Sequence, residues 1–538
     1  MSTTGRDTPF KNMRTLISSA CLLGSLSFSV PFLHAADCGA MSQLKLSDTT
    51  VTMAERVSSG TVTGPMIDPP MHGLPTFCRV TGTIRPTADS EIKFEVWMPE
   101  NDWNGRFLGV GNGGFAGSIG YQGLAGNLRR GFATAGSDAG HTGEAEDASW
   151  AFGHPEKIKD FGWRAVHLTT QRAKDIVNAY YGKAVQKAYF DSCSDGGREA
   201  LMEAQRFPED YDGILAGAPA NAWTQMLSSG VDVTQATLSD PRAYISSLKL
   251  PAIERAALEQ CDASDGVKDG IINDPEKCHF DPGVLLCKGE DSLECLSEPQ
   301  MNSLRKYYAG GTDGHGRSLF PGLVSGDEAG NWRAWVLGGG PGSGAGVNYV
   351  QNYFRYMVMD DPKWNVLTAN VDTSLQKAKE KTAAELDATN PDLSKFAARG
   401  GKLIMYHGWN DPGISPWNSV AYYKDVQKQM GEQKTDSFMR LYMAPGMEHC
   451  IGGPGPSSFG QFGLPTAKGP KFGLFDVLED WVEKDTPAKD VVATKYAGGP
   501  QGAGAVTMTR PLCPYPAVAK YKGTGDTNDA VSFACSKE

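Results

Sequence analysis

Between about residues 90 and 220, short apolar runs alternate with stretches whose apolar positions recur at helical spacing, and Gly-rich turns separate them. Residues 91–98 and 106–111 read as strands, and 163–181 carries a helical stripe. A short strand at 187–192, a helix over about 197–206 and a strand at 213–216 follow. This alternation predicts a mostly parallel sheet covered by helices. The rhythm returns with a strand at 402–406, a helix at 419–430, a strand at 438–443 and a helix at 472–484, so the two halves are expected to share one sheet. Between them, residues 221–393 change to helices, cysteine-closed loops and Gly-rich runs such as 338–346. An insertion of this size predicts a lid over the carboxyl ends of the strands, where open α/β sheets bind ligands. The expected division is 37–220 for the first part of the core, 221–393 for the inserted lid domain and 394–538 for the second part of the core.

The first 36 residues depart from this pattern. Arg6, Lys11 and Arg14 precede an apolar stretch from 16 to 33, and small residues stand at Ala35 and Ala36. Serines and Pro31 interrupt the stretch, which fits a cleaved export signal better than a membrane anchor. Secretion or periplasmic location is therefore expected, with no membrane association after cleavage. Removing Arg6, Lys11, Arg14 and Asp7 takes a net charge of +2 from the total of −11 and leaves −13. With no basic surplus to neutralise phosphates, nucleic acid is not an expected partner.

Of the eleven cysteines, Cys21 lies in the leader and ten remain. An even number in an exported chain points to disulfides, and local spacing pairs Cys261 with Cys278, Cys287 with Cys295 and Cys513 with Cys535. Clustered CxxC or Cys/His spacing that would suit zinc is missing.

The chemistry concentrates in Asp191-Ser192-Cys193-Ser194-Asp195-Gly196-Gly197-Arg198-Glu199, between a predicted strand and a predicted helix. A sharp turn with small residues at 196 and 197 would lift the Ser194 hydroxyl above the sheet, as in a nucleophile elbow. Ser192 replaces the usual Gly two positions earlier, so the G-x-S-x-G pattern is only partly met. A serine nucleophile needs a histidine base and an acid to orient it, following in the order Ser, acid, His. Asp411 follows the strand at 402–406 and His449 the strand at 438–443, which meets that order. His407 precedes Asp411 and is expected to be structural. Cys193 adjoins Ser194 and Cys450 adjoins His449, so a disulfide between them would tie nucleophile to base.

A second cluster lies at 261–271, where Asp262, Asp265 and Asp269 fall within eight residues of a Gly-punctuated loop. Three carboxylates, with the Val267 and Ile271 carbonyls, suit Ca²⁺ at a structural site; the rival reading is an acidic surface turn. The loop has no Glu at the twelfth position and is not an EF-hand.

Taken together, Cys193-Ser194, Asp411 and His449-Cys450 resemble the tannase and feruloyl esterase family over nearly the whole mature chain. The resemblance implies an α/β-hydrolase core with a large inserted lid and a triad of Ser194, Asp411 and His449. It also implies bridges Cys193–Cys450 and Cys38–Cys78, and a calcium ion in the lid held by Asp262, Asp265, Val267, Asp269 and Ile271. The loop at 111–115 resembles the family's oxyanion loop, with the Gly114 amide acting beside that of Asp195. The implied substrates are small esters of aromatic acids such as ferulate, gallate or mono(2-hydroxyethyl) terephthalate. Trp332, Trp335, Tyr349, Tyr353, Phe354 and Tyr356 are candidate aromatic walls, and Arg333 or Arg355 candidate partners for a substrate carboxylate. Two rival readings use the same residues: a non-catalytic binding protein on this scaffold, and a serine peptidase. Oligomeric state leaves no mark in the sequence.

Overall fold

Successive residues along the strands enter two different hydrophobic clusters, so the sheet is buried on both faces. Phe107, Phe190, Ile214, Leu403, Met405 and Leu441 pack on one side. Their neighbours Leu108, Tyr189, Leu215, Ile404, Tyr406 and Tyr442 pack on the other. Each large side chain so buried contributes roughly 1.5–3 kcal/mol, which explains why these strands are apolar almost throughout.

The structure is a computed structural model that describes residues 36–64, 67–467, 473–500, 502 and 504–537. The leader reading, with Cys21 and cleavage near Ala35, lies outside the described residues apart from Ala36. The central sheet comprises β1 (Thr49–Val57), β2 (Phe77–Ile84), β3 (Ile92–Pro99), β4 (Arg106–Val110), β5 (Ala133–Ser137), β6 (Lys187–Cys193), β7 (Gly213–Gly217), β8 (Lys402–Gly408) and β9 (Met439–Ala444). Their spatial order is β1-β2-β3-β5-β4-β6-β7-β8-β9. The pairs from β1 to β5 through β2 and β3 are antiparallel. The remaining pairs, from β5 to β9, are parallel.

The β7–β8 pairing joins the two halves of the chain in one sheet, as the repeated rhythm predicted. Helices α1 (Tyr121–Leu128), α2 (Ala165–Tyr181) and α3 (Asp195–Arg206) follow the early strands. Between β7 and β8 lie α4 (Trp223–Leu238), α5 (Leu250–Cys261), α6 (Glu298–Ala309), α7 (Ala345–Asn352) and α8 (Val371–Lys381). The later core contributes α9 (Trp417–Met430) and α10 (Leu474–Lys484). One face of the sheet is covered by residues of α2, α3 and α9, the other by residues of α1 and α10. This layering is the α/β-hydrolase fold.

The inserted segment has a small core of its own, built on Leu250, Ile253, Met301, Leu304, Trp332 and Leu337. Val231, Val350, Phe354 and Leu386 instead join the main core, so the insertion is rooted in the sheet domain. The end of the chain differs from a simple continuation of the core. Val491–Tyr496 pairs with Val506–Leu512, and Val518–Tyr521 with Phe533–Ser536, in two hairpin-like sheets separate from the central one. Five disulfides join Cys38–Cys78, Cys193–Cys450, Cys261–Cys278, Cys287–Cys295 and Cys513–Cys535. Among the described residues no helix is long and apolar enough to cross a membrane.

Candidate active site

Strands β6, β8 and β9 run parallel, so their carboxyl ends open on one edge of the sheet. Ser194 follows β6 directly, Asp411 follows β8 and His449 follows β9. The turn at Ser194 is sharp: its φ is 68° and its ψ −122°, a strained conformation for a residue with a Cβ. Hydrogen bonds from the Ser194 amide to Gly217 O at 3.0 Å and from the Ala220 amide to Ser194 O at 3.1 Å hold it. The turn requires Gly197, where a Cβ would come within 2.2 Å of Gly217 O.

The three side chains meet in a hydrogen-bonded row. His449 Nε2 lies 2.9 Å from Ser194 Oγ, and His449 Nδ1 lies 2.7 Å from Asp411 Oδ2. Because Nδ1 faces a carboxylate it carries the proton, leaving Nε2 free to accept from the serine hydroxyl. The other Asp411 oxygen accepts from the Gly413 and Ile414 amides at 2.8 and 2.9 Å. Burial alone would raise the Asp411 carboxyl, but His449 and His407 beside it outweigh burial and hold it well below the usual carboxylate range.

His407 is fully buried and its Nε2 lies 3.1 Å from both Asp411 Oδ2 and Ile414 O. Both neighbours are acceptors, so Nε2 carries the proton and Nδ1 accepts from Ser419 Oγ at 2.7 Å. That orientation makes His407 a clamp on Asp411, with both ring nitrogens engaged by groups other than Ser194. The Cys193–Cys450 disulfide links the residues beside Ser194 and His449 across 257 positions of sequence.

Gly114 and Asp195 stand with Ser194 on the wall of one cavity. Gly114 has φ 60°, and a Cβ there would meet Ala145 O at 2.4 Å and Tyr349 Oη at 2.7 Å, so the loop admits glycine alone. The Gly196 amide donates to Asn112 O at 2.8 Å and fastens this loop to the elbow. Asp195 points its side chain inward: its Oδ1 accepts from Arg198 Nε at 2.7 Å. Arg198 is fully buried, donates to the Gly162 and Phe161 carbonyls, and packs over both the Phe161 and Trp223 rings.

The cavity, about 190 Å³, is mostly apolar and is walled in large part by the inserted segment. Of the six aromatic candidates, Trp335 and Tyr349 line it; Trp332, Tyr353 and Phe354 are core residues, and Tyr356 packs against the core. Trp223, Tyr307 and Phe320 line it too, each placed there by tertiary packing that no local pattern foretells. Among the described lining residues there is no Lys or Arg; Arg355 is turned to the Trp364 carbonyl. Trp335 also sets its ring edge against His449, with centroids 4.7 Å apart. Beside it, Glu448 accepts from the Asn331 amide at 3.0 Å, so the lid grips the histidine loop at two points.

In the acidic loop, Asp262 accepts from the Asp269 and Gly270 amides, and Asp265 Oδ1 from that of Val267 at 2.9 Å. Asp265 Oδ2 is buried without a hydrogen-bond partner, an orphaned carboxylate oxygen of the kind that a hard cation takes as a ligand. Asp269 Oδ2 is taken by Arg510 at 2.6 Å, an ion pair the sequence did not reveal. Val267 packs with Cys513, Ala519 and Phe533, so this loop fastens the C-terminal segment to the lid.

The family described as tannase and feruloyl esterase matches residues 78–536. The chain belongs to that family. An esterase of Xanthomonas campestris is 41% identical over 97% of this chain and 94% of its own length. A probable feruloyl esterase B of Aspergillus clavatus is 32% identical over 95% of this chain and 98% of its own. The crystal structure of feruloyl esterase B from Aspergillus oryzae superposes with a TM-score of 0.85 at 29% identity, covering 93% of this chain and 99% of that one. The tannin acyl hydrolase of Aspergillus niger shares the fold, with a TM-score of 0.73 at 22% identity over 94% of this chain and 95% of its own. The esterase is thus a carboxylic ester hydrolase of feruloyl esterase type, and the residues at its sheet edge can be read in that light.

Proposed function

We propose that this esterase is a secreted serine enzyme that cleaves esters of aromatic acids through an acyl-enzyme. The observation that carries the reading is the Ser194–His449–Asp411 row, at 2.9 and 2.7 Å, opening on an aromatic-walled cavity. His449 Nε2 takes the proton as Ser194 Oγ attacks the ester carbonyl, and the ionised Asp411 stabilises the imidazolium that forms. The Gly114 and Asp195 amides receive the negative charge that develops on the carbonyl oxygen. His449 then returns its proton to the departing alcohol. Water, deprotonated by the same nitrogen, attacks the acyl-enzyme; the bond to Ser194 Oγ breaks, His449 returns the proton to that oxygen, and the acid is freed.

The apolar cavity, with Trp223, Trp335 and Tyr349 on its walls, suits an aromatic acyl group. The lack of a lining Lys or Arg among the described residues favours a neutral ring such as feruloyl or galloyl over terephthalate, whose second carboxylate would need one. Comparing kcat/KM for methyl ferulate, methyl gallate and mono(2-hydroxyethyl) terephthalate tests this. Ferulate or gallate should lead, and faster turnover of the terephthalate ester would reject the charge argument. Five disulfides support export. The Asp262, Asp265 and Asp269 carboxylates with the Val267 and Ile271 carbonyls are the residues that would hold Ca²⁺, as a brace between lid and C-terminal segment.

A further inference from the structure

Ser194 sits at the junction of two cavities. The smaller one, of about 190 Å³, lies on the Asp195 side, and a wider one of about 580 Å³ lies on the side of His449 and Cys450. Among the described residues only Gly114, Ser194 and Trp335 line both, so Trp335 is the partition. His449 lines the wider cavity and not the smaller one.

That asymmetry assigns the two halves of an ester. In acyl transfer the base must afterwards protonate the leaving oxygen, which therefore lies on the same side of the serine as His449 Nε2. The acyl group takes the remaining direction, past the Asp195 amide. Resting on the acyl-transfer reading above, we propose that the wider cavity is a subsite for the alcohol half of the substrate. The geometry points to a bulky, mainly apolar alcohol as its occupant.

The walls supply the reason. Ile67, Met71, Val110, Ile119 and Phe462 line this cavity. Two of its polar wall groups are committed inward: Asn112 Nδ2 donates to the Ser118 and Ser137 carbonyls, and the Tyr121 hydroxyl to Glu95. Asp191 is 2% exposed and its Oδ2 accepts from the Phe462 amide at 2.8 Å. A polyol would lose its water here and find few free groups to replace it, whereas a ring or alkyl chain would bury against five apolar side chains. Phe462 is the specificity-determining wall. Its φ is 54°, and its amide is held by the buried Asp191 carboxylate.

The test is a series of ferulate esters that share one acyl-enzyme and differ only in alcohol: methyl, 2-phenylethyl and glucosyl. Because kcat/KM covers only steps up to acylation, its ratio within the series reads the alcohol subsite alone. The phenylethyl ester is expected to exceed the methyl ester by about tenfold, and the glucosyl ester to fall below the phenylethyl ester. Phe462→Ala should cut the phenylethyl-to-methyl ratio by about threefold or more, and Met71→Ala, off the strained turn, should cut it in the same sense. A wild-type ratio of one or less, a glucosyl ester that leads, or a ratio unmoved in both variants would overturn the proposal while methyl ferulate turnover still stood. Absence of turnover with every ester would overturn the acyl-transfer reading and this proposal with it.

Discussion

Deleting one oxygen separates chemistry from fold. Ser194→Ala should lower kcat by at least about a thousandfold, with the circular dichroism spectrum and melting temperature unchanged. A folded variant with near-normal turnover would reject Ser194 as nucleophile. His449→Ala should match it, whereas His407→Ala should lose only about tenfold, because His407 clamps Asp411 and makes no bond to Ser194. Equal losses would show that the two histidines share the base's role. Arg198 teaches a different lesson. In sequence it looks like part of the catalytic motif, yet it is fully buried and spends its nitrogens on Asp195, Gly162 and Phe161. Arg198→Met should destabilise by about 3–5 kcal/mol in denaturant titration, since it leaves the Asp195 carboxylate buried alone. An unchanged midpoint would mean that water or another donor reaches Asp195.

Among the elements, the Cys193–Cys450 bridge and the acidic loop each join distant stretches of chain. The bridge closes a loop spanning 257 positions, for which chain entropy allows roughly 5 kcal/mol, though measured effects are typically about 2–4 kcal/mol. It also limits the separation of two loops whose side chains must stay about 3 Å apart. Replacing both cysteines with alanine should therefore lower the melting temperature and reduce turnover in protein that is still folded. Full turnover well below the new melting point would confine the bridge to an entropic role. For the loop, a chelator that removes the proposed Ca²⁺ should lower the melting temperature while initial rates on a small ester at low temperature hold, as the loop supplies no triad residue. Asp265→Ala should mimic chelation, because Asp265 owns the unpartnered oxygen. Melting that ignores both treatments would leave the loop an acidic turn braced by Arg510.

At the scale of the molecule, buried acids set the response to pH. Burial pushes Asp138, Asp191 and Glu328 up to about 7 from ordinary values near 4. A raised carboxyl contributes stability in full below its unfolded value and loses it as pH rises to its folded one. Asp411 works in the opposite sense, contributing above its ordinary value and losing that contribution as pH falls. The melting temperature should therefore be highest at mildly acid pH and decline from about pH 5 to pH 8. Calorimetry across that range checks the sign, and a melting temperature that rises steadily to pH 8 would contradict it. Asp191→Asn keeps an acceptor for the Phe462 amide and should make the decline shallower.

What the sequence determined by itself was everything that local spacing encodes. Period and turn chemistry located the parallel strands and the elbow at Ser194, and the order Ser, Asp, His picked Asp411 and His449 over His407. Cysteines beside two of those residues announced the bridge that the structure contains. Boundaries shifted by a residue or two, because helix and strand ends are settled by hydrogen bonds to neighbours: α3 begins at Asp195 and β8 runs to Gly408. Tertiary structure alone decided the rest. The antiparallel strands β1 and β2 at the sheet's edge carry a mixed polar pattern, and the C-terminal hairpins pack on the lid loop through Val267. Which aromatic rings face the substrate was also beyond spacing. Trp335 lines the site while Trp332, three positions earlier, is core, because the lid's fold, and no periodicity along it, turns one ring to His449 and the other inward.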